Sequence, residues 1–128
     1  MISSMADYHD LYLQTAGDLI KVLQQLKKIS TSKNDKNTIF EFYRAAHSLK
    51  SQSLMMGYEQ IGMTCRLLEA LLRDIHDGKQ IVSSLILADA EAVVDHLKRS
   101  LDQIKNKNKE LDHGEDIKKL QNYISLEK

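Results

Sequence analysis

Residues 83–104 read Ser83-Ser84-Leu85-Ile86-Leu87-Ala88-Asp89-Ala90-Glu91-Ala92-Val93-Val94-Asp95-His96-Leu97-Lys98-Arg99-Ser100-Leu101-Asp102-Gln103-Ile104. Ile86, Ala90, Val93, Leu97, Leu101 and Ile104 recur at intervals of three and four, so they line one side of a helix and predict a buried stripe. Ser83 or Ser84 can cap its first turn. No proline interrupts the 128 residues and only five are glycine, so nothing in the composition prevents further helices of this length.

The same rhythm appears on both sides of this stretch. Leu11, Leu19, Val22, Leu23 and Leu26 predict a first helix beginning at about Tyr8. The tract Ser30-Thr31-Ser32-Lys33-Asn34-Asp35-Lys36-Asn37 is polar and turn-forming and reads as a mobile loop. Thr38 and Glu41 have capping-box spacing ahead of a second helix with the inner stripe Ile39, Tyr43, Ala46, Leu49 and Ser53. Gly57 can take a left-handed backbone and turn the chain into a third helix, whose stripe is Ile61, Cys65, Leu68, Leu72 and Ile75 and whose end is marked by Gly78. Beyond Ile104, the run Lys105-Asn106-Lys107-Asn108-Lys109-Glu110 reads as a solvated linker. Asp112 and Glu115 then have capping-box spacing before a short helix through Ile117, Leu120 and Ile124. The fold expected is all-α: an antiparallel up-down-up-down four-helix bundle over about residues 7–104, with a polar linker and a short additional C-terminal helix over 105–128. All 128 residues then form a single domain.

Eighteen basic and eighteen acidic side chains cancel, which leaves no global field to attract nucleic acid or an anionic membrane. No apolar run approaches the roughly 20 residues that span a bilayer, and the amino terminus lacks the layout of a signal peptide. These features predict a cytoplasmic protein without membrane insertion. Cys65 is the only cysteine, which excludes an intramolecular disulfide, and it reads as a core residue. His9, His76, His96 and His113 are scattered over separate helices or ends. They read as surface histidines with no spacing that builds a metal site.

The chemistry concentrates in Arg44-Ala45-Ala46-His47-Ser48-Leu49-Lys50-Ser51. Lys50 and Ser51 follow His47 by three and four positions, so nucleophile, counter-charge and a small residue share a helix face. His47 comes one position after core residue Ala46, and Glu69 one position after core residue Leu68. If the second and third helices pack antiparallel, Glu69 can face His47. A carboxylate accepting from Nδ1–H fixes the tautomer in which Nε2 is free to attack phosphorus.

Arg44-Ala45-Ala46-His47 with Leu49-Lys50 resembles the motif of histidine phosphotransfer (Hpt) domains, most closely those of CheA-type chemotaxis kinases. Gly57-Tyr58, the segment Leu67-Leu68-Glu69-Ala70-Leu71-Leu72 and the opening Asp7-Tyr8-His9-Asp10-Leu11-Tyr12-Leu13 extend the resemblance over about residues 7–104. It implies that His47 is the phosphoacceptor, that Glu69 orients its imidazole and that Lys50 steadies the phosphoryl group. It also implies two partners, a histidine kinase catalytic domain as donor and a response-regulator receiver domain as acceptor. No intrinsic cofactor is expected: ATP and Mg belong to the kinase domain and Mg to the receiver, since the chain has no glycine-rich phosphate loop and no acidic metal cluster.

Two positions depart from that family. Ser51 stands in place of the usual glycine, where a receiver approaches. Arg66 replaces a second histidine, and it can pair with Glu69 or reach the phosphoryl oxygens. Leu54, Met55 and Met56 offer either an adaptable docking patch or ordinary core and turn packing. The alternative function is a helical interaction module or adaptor with an inactive phosphotransfer site.

Overall fold

A computed structural model gives the structure of residues 5–29 and 35–124. The regular elements among these residues are all helical. They are α1 (Met5–Leu23), which continues into a 3-10 turn (Gln24–Lys28), then α2 (Lys36–Met55), α3 (Glu59–His76), α4 (Ser84–Lys107) and α5 (Gly114–Gln121). Helix α1 packs on α2 and α4, α2 packs along α3, and α5 lies against α3 and α4. The expected four-helix bundle with an added C-terminal helix is the observed architecture.

Two of the turns follow from glycine. After α2, the amide of Tyr58 donates to Ser53 O at 2.8 Å and that of Gly57 to Leu54 O at 3.0 Å, with Gly57 at φ +85°. After α3, Lys79 and Gly78 bond to Asp74 O and Ile75 O in the same pattern, with Gly78 at φ +76°. Both are Schellman endings, which use a left-handed residue to satisfy the last carbonyls of a helix. The first keeps α2 and α3 close. A methyl group built on Gly62 would come within 2.3 Å of the Leu54 side chain, so glycine at this point lets Leu54 lie directly on α3.

Every stripe residue expected for α3 and α4 is buried, and Ser83 caps α4 through Ile86 N at 3.1 Å. The first stripe is met in part: Leu23 and Leu26 are core residues as expected and Leu19 packs against them, but Leu11 and Val22 are exposed, and Tyr12, Ala16 and Ile20 take the inner positions of α1. The leucines outweigh alanine and tyrosine on hydrophobicity alone, but burial is set by two neighbouring helices, and Tyr12 reaches a hydroxyl partner, Ser53 Oγ, at 2.8 Å. In α2 the core position is Phe42 rather than Tyr43, which is half-buried.

Three local signals also resolve differently. Asp35, not Thr38, caps α2, accepting from Asn37 N at 3.0 Å. Helix α5 begins after His113, and Asp112 Oδ1 accepts from Gly114 N at 2.8 Å instead of forming the expected box with Glu115. The expected mobile loop falls largely on residues 30–34, outside the described residues. The linker expected from residue 105 is partly helix: α4 runs to Lys107 and ends on Asn108 in the left-handed region at φ 57°. Glu110 then folds back onto α3, its carboxylate accepting from Gln60 N at 3.1 Å and Ile61 N at 2.8 Å.

Candidate functional site

Helix α2 carries His47 directly after wholly buried Ala46, at the border between core and solvent. Its side chain is 53% exposed. Helix α3 carries Glu69 directly after wholly buried Leu68, and Glu69 itself is buried. The close packing of the two helices brings the borders together. His47 Nδ1 lies 2.5 Å from Glu69 Oε1, and Lys50 Nζ donates to Glu69 Oε2 at 3.1 Å.

Both oxygens of the carboxylate are therefore engaged, one by the ring and one by the ammonium a helical turn further along α2. A carboxylate accepts at Nδ1 only if that nitrogen carries the proton, so the lone pair sits on Nε2 at the other side of an exposed ring. Burial of Glu69 between two fixed partners restricts its rotamers and hence the ring's orientation. The arrangement is a positioned nitrogen nucleophile.

The expected site residues divide in the structure. His47, Lys50 and Glu69 form one hydrogen-bonded unit, with Lys50 held on Glu69 where the resemblance implied a phosphoryl group. Ser51 is exposed one turn beyond His47. Arg66 is also exposed, and among the described residues Glu69 pairs with His47 and Lys50 rather than with Arg66. Arg44 is exposed along the same helix and lines a surface hollow with Tyr43, His47 and Ser48. In the patch Leu54-Met55-Met56, Leu54 packs towards Gly62 yet stays exposed, while Met55, 88% exposed, and Met56 border an apolar hollow with Tyr8, Leu11 and Tyr12.

Tyr43, expected in the core, belongs to the site instead. Its ring lies nearly parallel to that of His47, with centroids 6.3 Å apart and an interplanar angle of 20°. The i, i+4 spacing of Tyr43 and His47 is the signal in the sequence that points to this contact. Cys65 is buried as expected. Burial, followed by the nearby charge of Glu69, pushes its thiol far above the ordinary range.

The surface assignment fails outright for His113 and holds only in part for the other three histidines. His9, His76 and His96 are half-buried and His113 is wholly buried. Asp116 Oδ2 stands 2.5 Å from His96 Nδ1 and 2.7 Å from His113 Nδ1. Separation along the chain conceals this cluster, because His96 belongs to α4 and the other two to the start of α5. Only the i, i+3 spacing of His113 and Asp116 points to it.

The family model for the Hpt domain matches residues 7–107. The chain belongs to the Hpt domain family. It is 28% identical over 101 residues to the chemotaxis protein CheA of Bacillus subtilis (strain 168), a match that covers 78% of this chain and 15% of that protein. The Hpt domain thus spans about a seventh of this relative's length. In fold it is similar to the phosphorylated P1 domain of CheA3, solved in complex with CheY6 from R. sphaeroides, with a TM-score of 0.81 and 16% identity over 92% of this chain and 95% of that one. Among the described residues, no helix of this Hpt domain is long and apolar enough to cross a membrane.

Proposed function

We propose that His47 is the phosphoacceptor of this Hpt domain, taking a phosphoryl group from a histidine kinase catalytic domain and passing it to a receiver-domain aspartate. The observation that carries this reading is the His47–Glu69 contact, which leaves Nε2 with its lone pair on an exposed edge. In the loading step Nε2 attacks the γ-phosphorus of ATP, the bond to the bridging oxygen breaks and ADP leaves. The ring gains positive charge as Nε2 shares its pair, and Glu69 offsets that charge through Nδ1–H. In the second step an aspartate oxygen attacks phosphorus, and Nε2 departs with the electron pair of the P–N bond.

Lys50 has a place in both states. It holds Glu69 before loading, and its Nζ, on the same face of α2 as His47, can turn to the phosphoryl oxygens once they bring nearly two negative charges. The chain itself acts as a phosphocarrier. ATP and its Mg come with the kinase domain, whether on a longer CheA-like parent or on another protein, and a further Mg with the receiver, which places the relay in the cytoplasm. Met55, Met56 and the exposed Ser51 form the side presented to these partners.

Labelling tests the assignment. Incubation with a histidine kinase catalytic domain and γ-labelled ATP should give acid-labile, base-stable label on the chain and none on His47→Gln. Equal label on both proteins would remove His47 from the mechanism.

A further inference from the structure

His96, His113 and Asp116 lie at the C-terminal side of the molecule, on elements separate from the α2–α3 contact that builds the phosphotransfer site. We propose that these three residues bind a divalent ion of the zinc class, which clamps α5 to α4. His113 immediately precedes α5 and Asp116 is its third residue, a spacing that turns both towards α4. There they meet His96, and the three donor atoms lie within 4.8 Å of one another. The two imidazole rings are tilted by 49° with centroids 4.4 Å apart.

Two imidazole nitrogens and one carboxylate oxygen are a donor set that zinc accepts, with a fourth position left for water. Imidazole donors also select against magnesium and calcium, which prefer oxygen. The side chain of His96 is 26% exposed, so the fourth position has a route to solvent, while His113 is wholly buried and Asp116 is 6% exposed.

Charge balance separates this cluster from the similar group at His47. Glu69 has an ammonium on its second oxygen, whereas the ion-pair partners of Asp116 among the described residues are two imidazoles, with no Lys or Arg among them. Both imidazoles converge on a single oxygen, and among the described residues His113 Nε2 has no hydrogen-bond partner. Asp116 is thus the polar anchor of the buried His113 ring, and a divalent ion would supply the missing positive charge.

Bonds of about 2.0–2.1 Å place tetrahedral ligand atoms roughly 3.3 Å apart. The present contacts of 2.5 and 2.7 Å are hydrogen-bond spacings. Binding therefore requires the two rings to retreat by roughly 0.6–0.8 Å from the carboxylate oxygen, on the order of one small side-chain rotation. The ion replaces the Nδ1 protons, which move to Nε2 or to solvent.

The clamp would act on α3 as well. The amide of His113 donates to Gln60 Oε1 at 3.0 Å, beside the amides that Glu110 caps. Metal binding would hold the whole C-terminal segment on the helix that carries Glu69.

The full chain, stripped with chelator, should be titrated with zinc chloride and with cobalt chloride. One ion per chain should bind, with a rise in Tm of roughly 10 °C at a hundredfold excess over Kd. Cobalt should give the visible absorption of a four-coordinate site. His96→Gln, at the exposed corner of the cluster, should fold and lose all three responses, as should Asp116→Asn, while His47→Gln should retain them. Labelling of His47 by the kinase domain should be unchanged in His96→Gln. No saturable binding, equal binding by His96→Gln, or loss only in His47→Gln would overturn the proposal, the last by showing that the ion sits at the phosphotransfer site.

Discussion

Glu110 Oε1 accepts the backbone amide of Ile61 at 2.8 Å, and so caps a helix that begins about fifty residues earlier in the chain. Its other oxygen takes the amide of Gln60. Tyr58, the local N-cap residue, makes no side-chain cap. A charge on a distant segment does the work usually done by a neighbouring Ser, Thr, Asp or Asn, and the positive end of α3 favours an anion there.

Glu110→Ala should therefore destabilise the protein by roughly 1–2 kcal/mol, the usual cost of a lost cap. Urea unfolding should show a lower midpoint with little change in slope. An unchanged midpoint would mean that water replaces the carboxylate without loss.

Glu69→Ala removes the partner of both His47 Nδ1 and Lys50 Nζ. A charge-assisted hydrogen bond contributes about 1.5–3 kcal/mol, so loading of His47 should slow by roughly 10- to 100-fold with the fold retained. NMR of the imidazole nitrogens should show the ring redistributing between its two neutral tautomers. The same tautomer ratio in both proteins would rule out the orienting role.

Ser51→Gly removes an exposed hydroxymethyl group one turn from His47. Transfer to a receiver should change more than loading by the kinase domain, because Ser51 belongs to the side proposed to face the receiver. Half-reactions that change equally would discount the steric account. The variant should also lose about 0.5 kcal/mol of stability from glycine within α2, since serine already lies between alanine and glycine in helix propensity.

Tyr12 links stability to alkaline pH. Burial raises its phenol above the ordinary 10.0 against the opposing effect of the Ser53 hydrogen bond. The folded value thus exceeds the unfolded one, so the contribution is fully present below about pH 10 and is lost as pH rises beyond it. Tyr123, pushed up to about 12 by its hydrogen bond to Asp89, acts in the same direction. Tyr12→Phe should cost roughly 1–2 kcal/mol at neutral pH through the stranded Ser53 hydroxyl. It should also flatten, without abolishing, the fall in stability between pH 10 and pH 12.

Much of the reactive constellation is legible in the amino-acid sequence. His47 and Lys50 share a face by helical spacing alone, and the core borders at Ala46 on one helix and Leu68 on the next set Glu69 opposite them. Tyr43 is harder to place, because a helix with two adjacent apolar residues, Phe42 and Tyr43, does not reveal which one faces inward. For Arg66 the spacing allows either Glu69 or the phosphoryl oxygens as partner, and among the described residues the ion-pair partners of Glu69 are His47 and Lys50, not Arg66.

The helices, their order and the glycine turns that join them follow from the chain's local pattern, because periodicity and left-handed endings depend on neighbours three or four residues away. Packing settles what depends on contacts between distant segments: which face of α1 is buried, how Lys50 engages Glu69, and why residues 105–113 are not merely a linker. The same is true of Glu110 on Ile61 and of His96 on Asp116. In each case a charged or polar group finds its partner across 19 to 50 residues, beyond the reach of any local pattern. Burial then makes that partner necessary, since an unpaired polar group in the interior costs more than the hydrogen bond gains.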